Sequence, residues 1–558
     1  MPLVKLNLEK MAALLHKSIT LEQLEERIPW IGVEIEERGE DWIKIEYNPN
    51  RPDLSSQEGI ARALRGLQEI ETGLPKYVVT KGKILLVVDE SVKRVRPFIV
   101  GAVCKNIKLS DSDIEGLMAA QEDIHWAVGR DRRKASIGLH NLDTVTPPFT
   151  YKAVGPKSIK FTPLGSNTEL DMEEILTTHS KGIAYRHLVD GFPKYPIIVD
   201  KDGRVLSFPP IINGMRTQVN NNTSNLFIDV TGTSFISVNN ALNLIVTQLA
   251  EMGGKIESIT LVEGEKRTVT PVLKPAKLSL STEYVNRILG LQLKTTEIAH
   301  CLRKERFDAE VIKEGRLSVL VPPYRVDILH EVDLVEEVAV GYGYYNIQPK
   351  IPSCLTMGKL HIIGKHESSA RRLMIGMGYQ EIVNFTLTNE VEQYDYMRVK
   401  GKPLAKLQNP VSSEYSILRE SLLPGLMRTL KINKHEKLPQ RLFEVGEVIH
   451  SKVESEVGVG QELHFAATTA HSAASFAEIK SVLTALVAGL VGDASRISFA
   501  GSELPSFLKG RTAKVLLAGN EIAVLGELHP EVITNFELEY PVAAFEVNAK
   551  KLFTQTET

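Results

Sequence analysis

The stretch Val321–Tyr344, VPPYRVDILHEVDLVEEVAVGYGY, decides how the chain is read. Asp327 follows an apolar, strand-like run and precedes a helical one that carries Asp333, Glu336 and Glu337. Offsets of three and four put these last three carboxylates on one helix face, where like charges repel. Such a face is either solvated or has something positive between its acids, a metal or a basic partner. Hard carboxylate oxygens suit Mg²⁺, which usually keeps several waters.

Around this stretch, residues 271–350 form a compact, winged-helix-sized module. LSLSTEYVNRILG and TTEIAHCLRKERF read as helix openings, LSVLVPPYRVDI as an apolar strand and EVDLVEEVAVGYG as a closing helix, which suggests two helix-then-strand units. Upstream, residues 1–90 mix a helix at LEQLEERI, an alternating strand at WIKIEY and a helix at EGIARALRGLQEI that follows Pro52. Residues 91–270 hold many short apolar runs punctuated by turns, such as PFIVGAVC, YPIIVD and LFIDVTGTS, with helices at IEGLMAAQEDIHWAV and NNALNLIVTQLAEMG. Residues 351–558 alternate helices with strands such as EIVNFTL and LFEVGEVI, as a large mixed or antiparallel sheet domain does.

The whole chain sets outer bounds. At 558 residues it holds about three to five domains at roughly 100–200 residues each. Hydrophobic residues make up 43% and charged residues 24%, a composition that folds throughout. Lysine and arginine number 66 against 69 aspartates and glutamates, so any contact with RNA must be local. Cys104, Cys301 and Cys354 lie far apart and form neither a zinc ribbon nor a disulfide framework, which fits a reducing cytoplasm. No membrane span is expected: the apolar run Val482–Val491 is half the length required and reads as a core helix. The N-terminus lacks an export pattern. GKLHIIGKH has the wrong glycine spacing for a P-loop, and neither H-E-x-x-H nor G-x-S-x-G occurs.

The opening stretch, an aspartate followed by D-x-x-E-E and a Gly-Tyr ending, resembles the metal-bearing segment of phenylalanyl-tRNA synthetase β chains. The resemblance extends to YNPNRPDLSSQEGIARALRG near the start, to RKASIGLHNLD, PIIVDKDGRVLSFPPIIN and NLFIDVTGTS in the middle, and to QNPVSSEYSILRESLLPGLMRTLKINK, RLFEVGEVI, FLKGRTAKVLL and LGELHPEV near the end. The middle phrases resemble the archaeal and eukaryotic type. In NPNRPD, Pro52 fixes a backbone angle at a helix entry and Asp53 favours the positive end of the helix, which gives the motif a structural reading.

The resemblance implies an α+β multidomain protein with a B3/B4-like editing domain at 91–270, a winged-helix-like, B5-like module at 271–350 and a class II synthetase catalytic-like antiparallel sheet domain at 351–558. It implies that Asp327, Asp333, Glu336 and Glu337 bind Mg²⁺ at the contact with an α subunit. The partners implied are that α subunit, in an α2β2 heterotetramer, and phenylalanine tRNA, with ATP as substrate of the complex. Synthesis is expected elsewhere than on this chain. Arg441 stands three residues before Glu444, where active class II domains place their arginine two before, and a one-residue shift on a strand turns a side chain to the other face.

Editing is chemistry that this chain can own. A pocket for phenylalanine cannot strongly reject tyrosine, so a hydrolytic second sieve needs an apolar pocket with a polar end that phenylalanine leaves unpaired. The candidates are His179, Ser207, Asn213, Asp229, Thr231 and Thr233, with Leu206 as a wall for the ring. No serine, histidine and acid arrangement is evident, so a positioned water is the expected nucleophile. Asp229 to Thr233 also reads as an Asx or Thr turn, and His179 as a loop histidine.

Overall fold

The computed structural model describes residues 2–353, 356–401, 403–493 and 495–554, and Cys354 lies outside them. The chain divides into two compact units, residues 1–351 and 352–558.

The first unit begins with a three-stranded antiparallel sheet in which Trp42–Glu46 pairs with both Leu3–Asn7 and Glu34–Arg38. The alternation of WIKIE turns Ile43 and Ile45 inward against Met11, Ile60 and Leu64. The helix Gln57–Leu67 starts where Ser56 Oγ accepts from the Gly59 N–H at 3.2 Å, just beyond the turn that Pro52 imposes.

A mixed sheet of eleven strands follows. In its middle, Asn225–Gly232 lies antiparallel to both Phe98–Lys105 and Ala135–Asn141. The largely apolar helix Phe235–Glu251 packs across these three strands, and the helix Asp111–Ala127 lies against Ala135–Asn141. Ser110 and Asp113 cap the latter helix reciprocally, the side chain of each bonding the other's backbone N–H.

Residues 276–342 run strand, helix, helix, strand, strand, helix. The segment therefore opens on a strand, Ala276–Ser281, and not on a helix. Leu280 is buried and Leu278 partly so, a period of two that is too short for sequence alone to separate from the helix behind it. Helix Glu331–Tyr342 crosses Thr295–Lys304 so closely that a Cβ on Gly341 would lie 2.3 Å from the Cys301 carbonyl oxygen.

The second unit is a seven-stranded sheet, antiparallel except where Gln380–Glu381 joins the long strand Gln440–Ser451. Helices Ile362–Gly376, Phe476–Val491 and Ala549–Thr554 cover one face, and Leu423–Ile432 with Pro530–Asn535 cover the other. The run read as a core helix buries Ile479, Leu483, Leu486 and Val487. Among the described residues no helix is long and apolar enough to cross a membrane.

Trp30, Trp42 and Trp126 all belong to the first unit, so intrinsic fluorescence follows its unfolding. Gly341→Ala should lower that transition by about 1–3 kcal/mol through overpacking. Gly116→Ala, where a new Cβ meets open space on a helix, should raise it by about 0.5–1 kcal/mol. Equal responses would rule out the close helix crossing.

Candidate functional site

Arg325 stands where the sequence called for a positive charge among the four carboxylates. Its Nε and Nη2 donate to the two oxygens of Asp327 at 2.9 and 2.7 Å, and its Nη1 and Nη2 donate to Glu337 at 2.6 and 2.5 Å. Arg325 and Glu337 are buried, and the Phe307 ring lies 5.0 Å from the guanidinium. Burial opposes ionisation of Glu337, but the Arg325 charge and hydrogen bonds, with Arg51 behind them, hold its carboxyl below the usual range. Arg51 grips Asp53 through two bonds of 2.9 and 3.0 Å, so NPNRPD belongs to the same buried network.

The other two carboxylates do different work. Asp333 Oδ2 accepts from the backbone N–H groups of Leu329 and His330 at 2.7 Å each, capping the helix. Glu336 is exposed and accepts from the Tyr344 hydroxyl at 2.5 Å. The four carboxylates expected to share one Mg²⁺ thus have three different sets of partners in this structure. Among the described residues no three His, Cys, Asp or Glu side chains converge as metal ligands, and the four do not fit Mg²⁺ as one set, because a guanidinium fills the place between two of them.

A second constellation lies in the sheet region. A 220 Å³ cleft opens between the helix Asp111–Ala127, the strands Ala135–Asn141, Val205–Phe208 and Asn225–Gly232, and the Pro209–Ile211 loop. Met118, Ile137 and Ile212 give it apolar walls, and His179, Ser207, Asn213 and Asp229 all line it. Ser207 Oγ is buried without a hydrogen-bond partner among the described residues. Asn213 faces Ser207 across paired strands and donates Nδ2–H to the Leu139 carbonyl at 3.2 Å.

Asp229 sits in mid-strand and in no turn. Its Oδ1 meets His140 Nε2 at 2.7 Å, and His140 Nδ1 meets Thr217 Oγ1 at 2.8 Å. Opposite Asp229 the chain has Gly138, where a Cβ would lie 2.4 Å from Asp229 Oδ1. His179 has both ring nitrogens engaged: Nδ1 accepts from Lys181 N–H, so Nε2 carries the hydrogen and donates to the Leu164 carbonyl at 3.1 Å. It caps a helix and has no free lone pair for a base.

Three further candidates stand outside the cleft lining. Leu206 is fully buried in the core, because neighbouring strand residues face opposite ways and Ser207 takes the cleft side. Thr231 Oγ1 is held by Arg96 Nε at 2.9 Å, and Thr233 donates to the Arg133 carbonyl at 3.0 Å.

The sequence reading missed the charged side of the cleft. Arg130, Asp131 and Arg132 all have positive φ, of 49°, 55° and 62°, a strained turn that the buried Arg96 holds through the carbonyls of Arg132 and Arg133. From this turn Arg132 donates to the Pro210 and Ile211 carbonyls and to Glu122 Oε1 at 2.6 Å. Lys181 also reaches Glu122, at 3.0 Å. Burial works against the Glu122 charge, but His125, Arg132 and their hydrogen bonds lower its pKa. Ile137 N–H donates to His125 Nε2 at 2.7 Å, and burial lowers the pKa of that imidazole.

Comparison with known proteins gives this geometry a setting. Residues 347–549 match the family described as phenylalanyl tRNA synthetase beta chain CLM domain, and residues 278–344 the tRNA synthetase B5 domain. The phenylalanine–tRNA ligase beta subunit of Methanothrix thermoacetophila is 43% identical over 548 residues, 98% of this chain and 99% of that protein. The same subunit of Archaeoglobus fulgidus is 44% identical over 94% of each chain. The chain belongs to the phenylalanine–tRNA ligase β subunits. A crystal structure of an N-terminal fragment of the Pyrococcus horikoshii phenylalanyl-tRNA synthetase β subunit superposes with a TM-score of 0.59 at 38% identity, covering 62% of this chain and 100% of the fragment.

In the second unit Arg441 is tied into the packing of the sheet. Arg441, Phe443 and Val445 share the sheet face under helix Phe476–Val491, where Arg441 Nη2 meets Glu478 at 3.2 Å. On the opposite face Glu444 is paired with Arg419 at 2.5 Å, and Glu546 is bonded to His464 and Ser421, beneath helix Leu423–Ile432.

Two outcomes test the buried network by fluorescence-monitored unfolding. Arg325→Met should cost about 3–5 kcal/mol by stranding Glu337, and adding Glu337→Gln should recover part of the loss. No recovery would mean that the pair is uncoupled. Glu305, buried near Glu337, is pushed by burial and that neighbour from 4.5 up to about 8. Its contribution to stability is full below the unfolded value and is lost as pH rises through the folded one. The stability advantage of Glu305→Gln over wild type should therefore grow as pH is raised from about 4.5 to about 8 and level off above that.

Proposed function

We propose that the chain works with an α subunit, in an α2β2 heterotetramer, to attach phenylalanine to its tRNA at the expense of ATP, and that its own cleft hydrolyses Tyr-tRNA. Membership in the family supports the ligase part. The occupied faces of the second unit support a synthetic site on the α subunit, where ATP brings its usual Mg²⁺. The second unit then serves as scaffold at the subunit contact. The cytoplasm, where charged tRNA is consumed, is the proposed location.

One observation carries the editing reading: a buried Ser207 hydroxyl, without a hydrogen-bond partner among the described residues, in a cleft with apolar walls at Met118, Ile137 and Ile212. A tyrosine hydroxyl supplies the missing partner, whereas phenylalanine leaves Ser207 unpaired at a cost of about 1–3 kcal/mol. Both histidines at the cleft have their acceptor nitrogens engaged, so the ester is attacked by a water that Asn213 positions. Arg132 and Lys181, tied to Glu122, put positive charge beside the developing oxyanion.

Asn213→Ala should slow Tyr-tRNA hydrolysis by on the order of a hundredfold and leave phenylalanine charging intact. Ser207→Ala should instead let the cleft hydrolyse Phe-tRNA roughly tenfold faster, since about 1.4 kcal/mol of exclusion is removed. Deacylation assays on the complex check both, and unchanged Tyr-tRNA hydrolysis in Asn213→Ala would assign the chain a scaffold role without editing.

A further inference from the structure

A 950 Å³ cleft of the first unit plays no part in the sites above. It lies between helix Leu8–Leu14, the end of helix Phe235–Glu251 and the adjoining ends of strands Phe98–Lys105 and Lys255–Glu263. Most of its acids are already neutralised. Lys10 holds Glu58 at 2.7 Å and Asp113 at 2.6 Å, Arg65 holds Glu251 at 2.5 Å, and Arg306 bonds Glu71. Among the described residues Lys76, Lys105, Lys108 and Lys255 make no ion pair, and the only lining carboxylate left unpaired is Glu257.

Lys105 and Lys255 are direct partners across the antiparallel strands. Like charges in that position repel at close range, and no acid relieves them. Such an arrangement lowers the stability of the free protein and is relieved by a bound anion. A compact phosphate seated on the floor is disfavoured, because helix Phe235–Glu251 ends there and presents its negative pole. A phosphodiester strand running along the rim meets the lysines and avoids that pole.

We propose that this rim binds the phosphate backbone of the tRNA, which makes it the local RNA contact of a chain whose overall charge is near neutral. The inference rests on the tRNA-ligase reading but not on the editing chemistry. The helix Asp111–Ala127 joins the two places: Asp113 lines this cleft and Glu122 lines the other, nine residues on, or about 14 Å along the axis. RNA held on the rim is thereby kept within reach of the hydrolytic cleft.

The test measures tRNA binding by the complex as a function of salt, with the double variant Lys105→Gln/Lys255→Gln beside wild type. Loss of two phosphate contacts should weaken binding several-fold and reduce the slope of log affinity against log salt by about 1.4–1.8. The fluorescence unfolding midpoint should stay at or above that of wild type, because a repulsion is removed. Should the midpoint fall, Lys76→Gln/Lys108→Gln, at exposed positions, replaces it in the same assay. Unchanged affinity and slope overturn the proposal, as does lysine-dependent binding of inorganic triphosphate with tRNA binding unaffected. If both lysine pairs matter for tRNA while Asn213→Ala still hydrolyses Tyr-tRNA, the editing assignment falls and the rim stands; the reverse pattern removes the rim alone.

Discussion

A single guanidinium, that of Arg325, holds the first unit together electrostatically. It satisfies Asp327 and Glu337 at once, one from the loop before a helix and one from its third turn, so it fixes how helix Glu331–Tyr342 leaves the preceding strand. Arg51 and Asp53, nearly three hundred residues upstream, sit within the field of the same pair. Arg62 adds its own bond to the Asp53 carbonyl and lies 3.6 Å from the Tyr324 ring. Charges buried in this way are costly to separate and tolerant only of paired replacement. The network links the Arg51–Asp53 turn to the 276–342 module, while their hydrophobic cores stay separate.

The cleft beside Ser207 uses strain where the buried network uses charge. Three successive residues in the left-handed region cost about 1–3 kcal/mol each. Arg96 offsets that cost with bonds to the turn's carbonyls, to Ser136 and to Thr231, all neutral acceptors. Burial without a directly bonded carboxylate pulls its pKa down to about 10. The return is an Arg132 aimed across the cleft, ordering the Pro210–Ile211 carbonyls and fixing Glu122. Thr231 thus matters to the site at one remove, as a support for Arg96.

The second unit turns the polar residues of its sheet inward to one another. Polar residues on strands Gln440–Ser451, Val459–Ala470 and Val542–Asn548 bond one another and the segment before helix Leu423–Ile432, through Glu546 with His464 and Ser421 and Glu444 with Arg419.

By itself the sequence determined the family, the alternation of strands and helices, and the need for a positive charge near Asp327 and Glu337, because local periodicity and like-charge repulsion act over a few residues. It also named four residues that line the cleft, Ser207 and Asn213 among them, since small polar side chains in apolar strands stand out. Only tertiary structure decided that the charge is Arg325 and that Asp333 is a cap. It also turned Leu206 away from Ser207 and brought His125, Glu122 and Arg132 to the cleft. Those outcomes depend on which strand pairs with which and on which way each side chain faces, relations between residues far apart in sequence that no local pattern encodes.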